Sequence, residues 1–318
     1  MNMLQNLYYC SPVMPTDKLC DGVVNQSLND SVRILNIILG FGAFNEYSSL
    51  FIPLSTENKG WRQPTFRKFD LLDYEHDLPY HSSAILASAL DTFTLKYRLK
   101  ETNFSIADLC TDLNRYERRA AAASLHLPFP FDDDSTLLEC LDNWQGPLSQ
   151  SITPNCEIGS KNLMQYITLR GIKEEKLKQP PHLAKKQINL PAYACDTITE
   201  MLNLYLAYST EYSASNVTVV CKPLNTQTPF PQMVKKYSPG NTINKQTKNI
   251  GTDIPVLAGL HNGSFVGDML ESLLTEAKRI KLGKMHPFTT EGLESDEIHE
   301  CLNSLHTLRE NYTEDCFL

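Results

Sequence analysis

The chain has 318 residues, of which 42% are apolar and 21% are charged, so it suits a globular protein of one large or two ordinary domains. Its 37 acidic residues outnumber the 29 lysines and arginines, and the net charge of −8 excludes a generally basic nucleic-acid binder. No apolar run reaches the roughly 20 residues that a membrane-spanning helix needs.

The first residues have neither the basic start nor the apolar run of a secretory signal, which predicts a cytosolic protein. The chain contains nine cysteines and no C-x-x-C pair. In a reducing compartment such cysteines are free thiols that pack as small apolar side chains. We therefore predict no disulfide framework.

The amino-terminal part predicts a strand, a helix and a second strand. Tyrosine, leucine and cysteine cluster at 4–10 before two prolines, which indicates a short buried strand. Ser27 begins an apolar stripe that predicts a helix ending near Gly40 and Gly42. Ser49–Leu54 is typical of a strand, and Glu57–Asp77 is a charged connection without a clear period.

Two helices and an edge strand are predicted next. Tyr80–Tyr97 is apolar or small on nearly every side, which is typical of a helix buried inside a domain. From Ile106 apolar residues recur at intervals of three and four, which predicts a helix to about Ser124. Leu125–Phe131 reads LHLPFPF, and its two prolines place it at the edge or start of a sheet.

The middle of the chain alternates between helices, strands and long loops. The lysine-rich stretch Lys173–Lys186 is predicted to be a solvated surface loop, with contact to nucleic acid as the alternative. The other predicted elements are a helix at Leu137–Asp142, a strand at Leu163–Arg170, a helix at Thr197–Tyr208, a strand at Asn216–Lys222 and a loop at Thr226–Thr252.

The carboxyl-terminal part predicts a strand at Ile254–Leu260, a polar loop at His261–Gly267 and two helices, one at Asp268–Leu282 and one that begins at Ser295. The polar loop could place an anion at the start of the following helix. An ordinary cap from Ser264 or Asp268 is the preferred interpretation. Strands that alternate with helices predict an α/β fold.

The sequence contains no complete catalytic motif. A phosphate-binding G-x-x-x-x-G-K-[ST] loop, a G-x-S-x-G elbow and H-E-x-x-H zinc spacing are all absent. The acidic runs at Asp132–Asp134 and Glu291–Glu300 lack the spacing of a calcium loop, so solvated surfaces are preferred to divalent-ion sites. His299 and Cys301 are two apart on a predicted helix, point to different sides and form no shared metal site.

Several segments resemble the Misato family of tubulin-related proteins. The most recognisable stretch is YHSSAILASALDT at 80–92, followed by Tyr97-Arg98-Leu99. Further segments agree in the same order along the chain. They are Ser48–Ser55, Leu127–Pro130, Leu169–Ile172 and Ile254–Val256.

The resemblance implies a tubulin-like α/β fold with a partial nucleotide domain, an intermediate domain and C-terminal helices. The implied divisions are a nucleotide-domain remnant at 1–79, a core connecting helix at 80–97, an intermediate domain at 98–260 and a C-terminal helical region at 261–318. The glycine-rich phosphate-binding signature would lie before residue 1. The chain would thus be a C-terminal portion, from a truncated gene model, an isoform or a paralogue.

The resemblance also directs attention to three residues. Tyr80 and His81 occupy the region that faces the guanine base in tubulin, and Tyr80 could stack on a base. Packing of Tyr80 at the start of the helix is the preferred interpretation. Asp108 is all that remains of tubulin's catalytic loop, and it is interpreted instead as a first-turn residue that favours the helix dipole.

The function implied by the resemblance is a non-enzymatic role in mitochondrial distribution, fusion and morphology through protein contacts. The expected location is the cytoplasm and, peripherally, the outer mitochondrial membrane. The expected partners are proteins at mitochondria or the cytoskeleton, and nucleic acid is not an expected partner. No cofactor or metal is expected. The alternative is a GTP-binding protein, related to tubulin and FtsZ, whose phosphate loop lies upstream and without which GTP would not bind.

Overall fold

The computed structural model describes residues 50–54, 57–58, 65–66, 72–73, 79–99, 104–131, 135–143, 148, 150–159, 161–184, 187–209, 214–234, 253–281 and 292–313, and also 34, 35 and 38. The last three are helical and buried, as predicted for the helix that begins at Ser27. The predicted strand at 4–10, the glycines at 40 and 42, and most of the predicted loop at 226–252 lie outside the described residues.

A five-stranded mixed sheet forms the centre of the fold. Its strands are β3 (Ala122–His126), β4 (Gln150–Ser151), β5 (Asn162–Arg170), β6 (Ala214–Val220) and β9 (Val256–Gly263). The strand order is β4-β3-β9-β5-β6. Strands β5 and β6 are parallel and are connected through a helix, whereas the other neighbours are antiparallel. Two short pairs lie outside the sheet: β1 (Glu57–Asn58) with β2 (Thr65–Phe66), and β7 (Leu224–Asn225) with β8 (Asp253–Ile254).

Besides the helical residues 34, 35 and 38, the described part of the chain contains seven α-helices. They are α1 (Pro79–Phe93), α2 (Leu95–Arg98), α3 (Ile106–Leu113), α4 (Leu137–Asp142), α5 (Ile198–Ser209), α6 (Phe265–Lys278) and α7 (Ser295–Glu310). The predicted helices at Leu137–Asp142 and Thr197–Tyr208, and the helix beginning at Ser295, are confirmed. The helix predicted at Tyr80–Tyr97 is present as two helices, α1 and α2, separated at Thr94. The predicted α/β class is confirmed as well.

The prediction of a solvated loop at Lys173–Lys186 is only partly correct. Leu177 and Ala184 are buried against the core, whereas Leu183 is 60% exposed.

Alternation along the strands divides the core between two faces of the sheet. In β9, Val256, Ala258 and Leu260 pack with α1 and α3. Leu257 lies on the opposite face and packs with α4 and α5. Because successive side chains of a strand point to opposite faces, a fully buried strand such as β9 needs helices on both sides. The sheet is therefore the middle layer.

The prediction of one helix from Ile106 to Ser124 is wrong. Helix α3 ends at Leu113, and Tyr116 and Glu117 adopt positive φ angles of 55° and 60° that reverse the chain. The alanines that follow are fully buried between the two helical layers, so tertiary packing overrides their helix propensity. Strand β3 accordingly begins at Ala122, and the strand predicted at Leu125–Phe131 extends only to His126.

Two further predictions are corrected near the end of the sheet. The predicted polar loop His261–Gly267 does not exist, because β9 continues to Gly263 and α6 begins at Phe265. Ser264 makes no capping hydrogen bond through its side chain. The loop was predicted from its polar residues, but His261 and Asn262 are buried and hydrogen-bonded inside the protein.

The predicted strand at Ser49–Leu54 pairs with its neighbour only at Phe51, which forms a parallel bridge with Ala120. The amide of Phe51 donates to the carbonyl of Arg119 at 2.7 Å, and the amide of Ala121 donates back to Phe51 at 3.0 Å. Phe51 therefore occupies one edge of the backbone at residues 119–121. The opposite side is occupied by the end of the C-terminal helix.

A tyrosine after α7 anchors the carboxyl-terminal helices to the sheet. Tyr312 is buried, and its hydroxyl donates to the carbonyl of Ala120 at 2.6 Å and accepts the amide of Ala120 at 2.9 Å. The buried Arg118 donates through Nε to the carbonyl of Asn311 at 2.7 Å. We call Arg118, Ala120, Asn311 and Tyr312 the C-terminal clasp. It fixes α7 as an outer layer over α6.

Candidate functional site

The residues that the tubulin resemblance selects lie at the starts of two helices, α1 and α3. Tyr80 lies at the start of α1 with 54% of its surface exposed, so the preferred interpretation of a packed aromatic is wrong. His81 is partly buried beside it. Their proposed contact with a base stays a prediction.

Asp108 is a capping residue in the first turn of α3. Its carboxylate accepts the amide and the hydroxyl of Ser105, both at 2.7 Å, and its own amide donates to the Ser105 hydroxyl at 3.2 Å. The hydrogen bond from the Ser105 backbone lowers the pKa of Asp108. This arrangement is a capping box, which accounts for an acidic residue at this position.

The acidic run near residue 294 has a similar explanation. The Glu297 side chain accepts the amide of Glu294 at 3.1 Å and caps α7. Among the described residues, no group of histidines, cysteines and carboxylates is arranged to hold a metal ion. The run at Asp132–Asp134 lies outside them.

A buried serine–histidine pair is present that the sequence analysis missed. The Ser124 hydroxyl lies 2.8 Å from Nε2 of His261, and both residues are inaccessible to solvent. Among the described residues, Nδ1 of His261 has no hydrogen-bond partner, so none of them supplies the carboxylate that orients the base of a catalytic triad. The two residues are 137 positions apart and become neighbours only when β3 and β9 pair. The pair lies inside the sheet, between two neighbouring antiparallel strands.

Burial lowers the pKa of His261 to about 4. A solvent-exposed histidine has a pKa near 6.5. Between about pH 6.5 and pH 4, His261 is therefore protonated in the unfolded chain but stays neutral in the folded protein. The stability that neutral His261 contributes is complete above about pH 6.5 and is lost as the pH falls to about 4. We expect this loss to reach about 3 kcal/mol.

Urea unfolding across this pH range measures the effect. The His261→Gln variant is expected to lose stability less steeply than the wild type between about pH 6.5 and 4. His182→Gln, at an exposed position, is the matched control and should keep the wild-type slope. If the stability of the wild type and of His261→Gln depended on pH in the same way, His261 would not be the group that causes the loss.

A half-buried polar cluster connects α2 and α3 to β5 and β6 of the sheet. The hydroxyl of Tyr166 donates to Asp112, whose other oxygen lies 3.8 Å from Arg115. Lys96 donates to Asn216 at 2.6 Å. Burial, with help from the Asp112 carboxylate, raises the pKa of Tyr166. The phenol therefore stays protonated and is suited to fixing α3 rather than to acting as a base.

A small apolar cavity of about 40 Å³ lies between α1, α3 and the segment 50–54. It is lined by side chains such as Leu90, Phe93 and Leu109, and by Cys110. Burial raises the pKa of the Cys110 thiol, which makes it a poor nucleophile. Thr94 and Tyr97 are the other polar side chains of the lining.

The outer surface of α7 is the strongest candidate for a functional surface. Its exposed carboxylates are Glu294, Asp296, Glu297, Glu300 and Glu310. The inner face is apolar and packs on α6 through Ile298, Leu305 and Leu308. Asp268 and Glu271 extend the exposed acidic residues onto α6, where Glu271 pairs with Arg309 at 2.9 Å. We call the exposed carboxylates of α6 and α7 the acidic helical face.

No protein-family model matches the chain. Among curated proteins, it is 34% identical over 301 residues to protein misato of Drosophila melanogaster, an alignment that covers 92% of this chain and 52% of the relative. The chain is related to the Misato proteins. The human protein misato homolog 1 is 30% identical over 292 residues and the zebrafish (Danio rerio) protein 28% identical over 301, with 88% and 90% of this chain covered.

The predicted Misato resemblance is thereby confirmed along nearly the whole chain. The chain spans about half the length of the curated Misato relatives that it matches. The mixed α/β structure agrees with the tubulin-like fold that the Misato resemblance implies, whereas the four predicted domain divisions stay a prediction. No helix among the described residues is long and apolar enough to cross a membrane.

Proposed function

We propose that the chain is a Misato-type protein that acts in mitochondrial distribution, fusion and morphology through protein contacts and without catalysing a reaction. It works in the cytoplasm and peripherally at the outer mitochondrial membrane. The relation to Misato proteins supports the family role. The acidic helical face is the observation that supports a contact mechanism.

The position of this face suits a binding surface. Helix α7 is held from within by apolar packing and by the C-terminal clasp, so its outer side chains are presented on a rigid element. Rigid presentation reduces the entropy that binding costs. Carboxylates of one sign attract a partner that carries lysine and arginine and speed its association. The partner surface is therefore expected to be basic.

Rescue of mitochondrial morphology tests this mechanism. In cells depleted of their own Misato protein, the wild-type chain is expected to restore the mitochondrial network. Asp296→Lys combined with Glu300→Lys is expected to fail, because both side chains are exposed and the change inverts the local charge. Asp142→Lys, also exposed but on α4, is the matched control and is expected to restore the network.

The alternative is a GTP-binding protein, which the tubulin resemblance favours. We propose that the chain alone binds no GTP and has no cofactor. A ligand that binds only the folded state raises the melting temperature, by an amount that grows with its concentration. We expect no change in the melting temperature when GTP and Mg²⁺ are added to the purified chain. A rise that depends on GTP concentration would favour the alternative.

A further inference from the structure

The two edges of the central sheet differ in length. At one edge, β4 has only two residues and so offers few backbone groups to another strand. At the other edge, β6 has seven residues and is paired with β5 alone among the strands that the structure describes. A long edge strand presents a row of backbone donors and acceptors with which a further strand can pair.

The sequence of β6 contains none of the features that usually protect an edge. It reads ASNVTVV, with no charge, no proline and no glycine, and its last four residues are all β-branched. Its pairing with β5 runs without a register shift, so no bulge turns the edge away. The residues from Ser215 to Val220 are all partly exposed, whereas those of β9 in the middle of the sheet are buried. Such a strand favours pairing with another strand.

The hydrogen bonds to β5 show which backbone groups of β6 face outward. The carbonyl of Val220 accepts the amide of Gly171, which follows β5, at 2.8 Å. A residue in a strand directs its amide and its carbonyl to the same side, and successive residues alternate. The even-numbered residues of β6 therefore face β5, whereas the amides and carbonyls of Ser215, Val217 and Val219 point away from it.

This pattern of outward groups is complementary to itself. If β6 pairs antiparallel with the β6 of a second copy about a two-fold axis at Val217, Val217 lies opposite its own counterpart and Ser215 lies opposite Val219. Every outward-facing residue then meets an outward-facing residue, and each such pair exchanges two hydrogen bonds. Val217 and Val219 already pack partly against the core beneath α4 and α5. Paired with their counterparts, they continue that apolar layer into the second copy.

Charge favours a second copy as the occupant of this edge. Two-fold pairing brings residues near the axis together with copies of themselves, so a charged side chain there would face a like charge. Residues 214–220 contain none. Lys96, which donates to Asn216 at 2.6 Å, has its charge offset by the nearby Asp112 carboxylate. Because the whole chain carries a net charge of −8, two copies attract each other best through a neutral surface of this kind.

We propose that the chain forms a two-fold dimer in which the β6 strands of the two copies pair antiparallel and join the two five-stranded sheets into one continuous sheet. The axis passes next to Val217, and the outer pairs of the interface are formed by Ser215 with Val219 of the other copy. This dimer is independent of the acidic helical face and of its rescue experiment.

Sedimentation velocity of the purified full chain tests the dimer. The wild type is expected to approach twice the 36.0 kDa of one chain as its concentration rises. Ser215→Lys combined with Val219→Lys places lysine opposite lysine in both outer pairs. Ser215→Lys combined with Val219→Glu places each lysine opposite a glutamate of the other copy. We expect the first double variant to dimerise at least about tenfold more weakly than the second.

The second double variant is the matched control, because it loses the same native side chains and carries charges at the same two positions. Amide hydrogen exchange gives a measurement without substitutions. The amides of Val217 and Val219 should exchange slowly in concentrated wild-type protein and quickly after dilution. A monomeric wild type, equal dimerisation of the two double variants, or exchange at these amides that does not depend on protein concentration would overturn the proposal.

Discussion

Replacing Asp91 by asparagine is expected to lower the free energy of unfolding by about 3 kcal/mol, the lower end of the range for a broken buried ion pair, because 38% of the Asp91 side chain is exposed to solvent. Asp91 on α1 is the carboxylate partner of Arg170, which lies at the end of β5 with only 5% of its side chain exposed. Arg170 also donates to the carbonyls of Lys222 at 3.2 Å and Pro223 at 2.9 Å. Without the carboxylate, a buried guanidinium has no counter-charge. Urea unfolding of the two proteins measures the loss.

The reverse replacement is expected to be less costly. Arg170→Met removes the buried charge and fills part of its volume, so about 2–3 kcal/mol is expected from the unpaired carbonyls and imperfect packing. Arg98→Ala should cost under about 1 kcal/mol, because the 2.6 Å pair of Arg98 with Asp91 is largely exposed. A smaller loss for Asp91→Asn than for Arg170→Met would contradict this account.

The pKa of Asp91 provides an independent check. Burial opposes its charged form, but Arg170 and Arg98 outweigh burial and hold the pKa below its ordinary value. Stability from this carboxylate is therefore present above its unfolded pKa of about 4 and is lost as the pH falls through the lower folded value. Asp91→Asn should remove that part of the acid sensitivity.

Truncation of Tyr312 to alanine is expected to cost about 3–5 kcal/mol, the usual range for a large buried side chain. Tyr312→Phe should cost about 1–3 kcal/mol, because Ala120 then keeps an unpaired amide and an unpaired carbonyl in the interior. Urea unfolding measures both, with Tyr208→Phe at an exposed site as the control. Equal stabilities of Tyr312→Phe and the wild type would show that the hydroxyl does not hold the clasp.

The clasp also depends on a glycine. A Cβ atom at Gly267 on α6 would lie 3.0 Å from Cβ of Tyr312, so the helix approaches the tyrosine closely there. Gly267→Ala is expected to displace α7 slightly and to weaken the clasp in the same direction as Tyr312→Phe. This close approach joins the two C-terminal helices to residues 118–120.

The sequence was sufficient for elements with a strong period or a clear stop signal. Leu137–Asp142 is found at its predicted bounds, and the core helix begins one residue before Tyr80 but ends at Phe93, with the short α2 completing the predicted range. The sequence was insufficient where tertiary contacts determine the secondary structure. The alanines at 120–123 favour a helix locally, yet burial between two layers makes them extended.

The functional groups divide in the same way. The capping role of Asp108 was predictable, because Ser105 precedes it by three residues in a capping pattern. The Ser124–His261 pair and the Asp91–Arg170 pair join residues that are far apart along the chain, so spacing gives no signal for them. The segment around Leu183 contains prolines and lysines that predict a loop. The sequence alone does not show that the Leu183 side chain is exposed there.

The rescue experiment in Misato-depleted cells tests the central claim most directly, since it asks whether the acidic helical face performs the function. The account predicts a restored mitochondrial network with the wild type and with Asp142→Lys, and a fragmented or collapsed network with Asp296→Lys/Glu300→Lys at equal protein levels. A restored network with the charge-reversed double variant would contradict it.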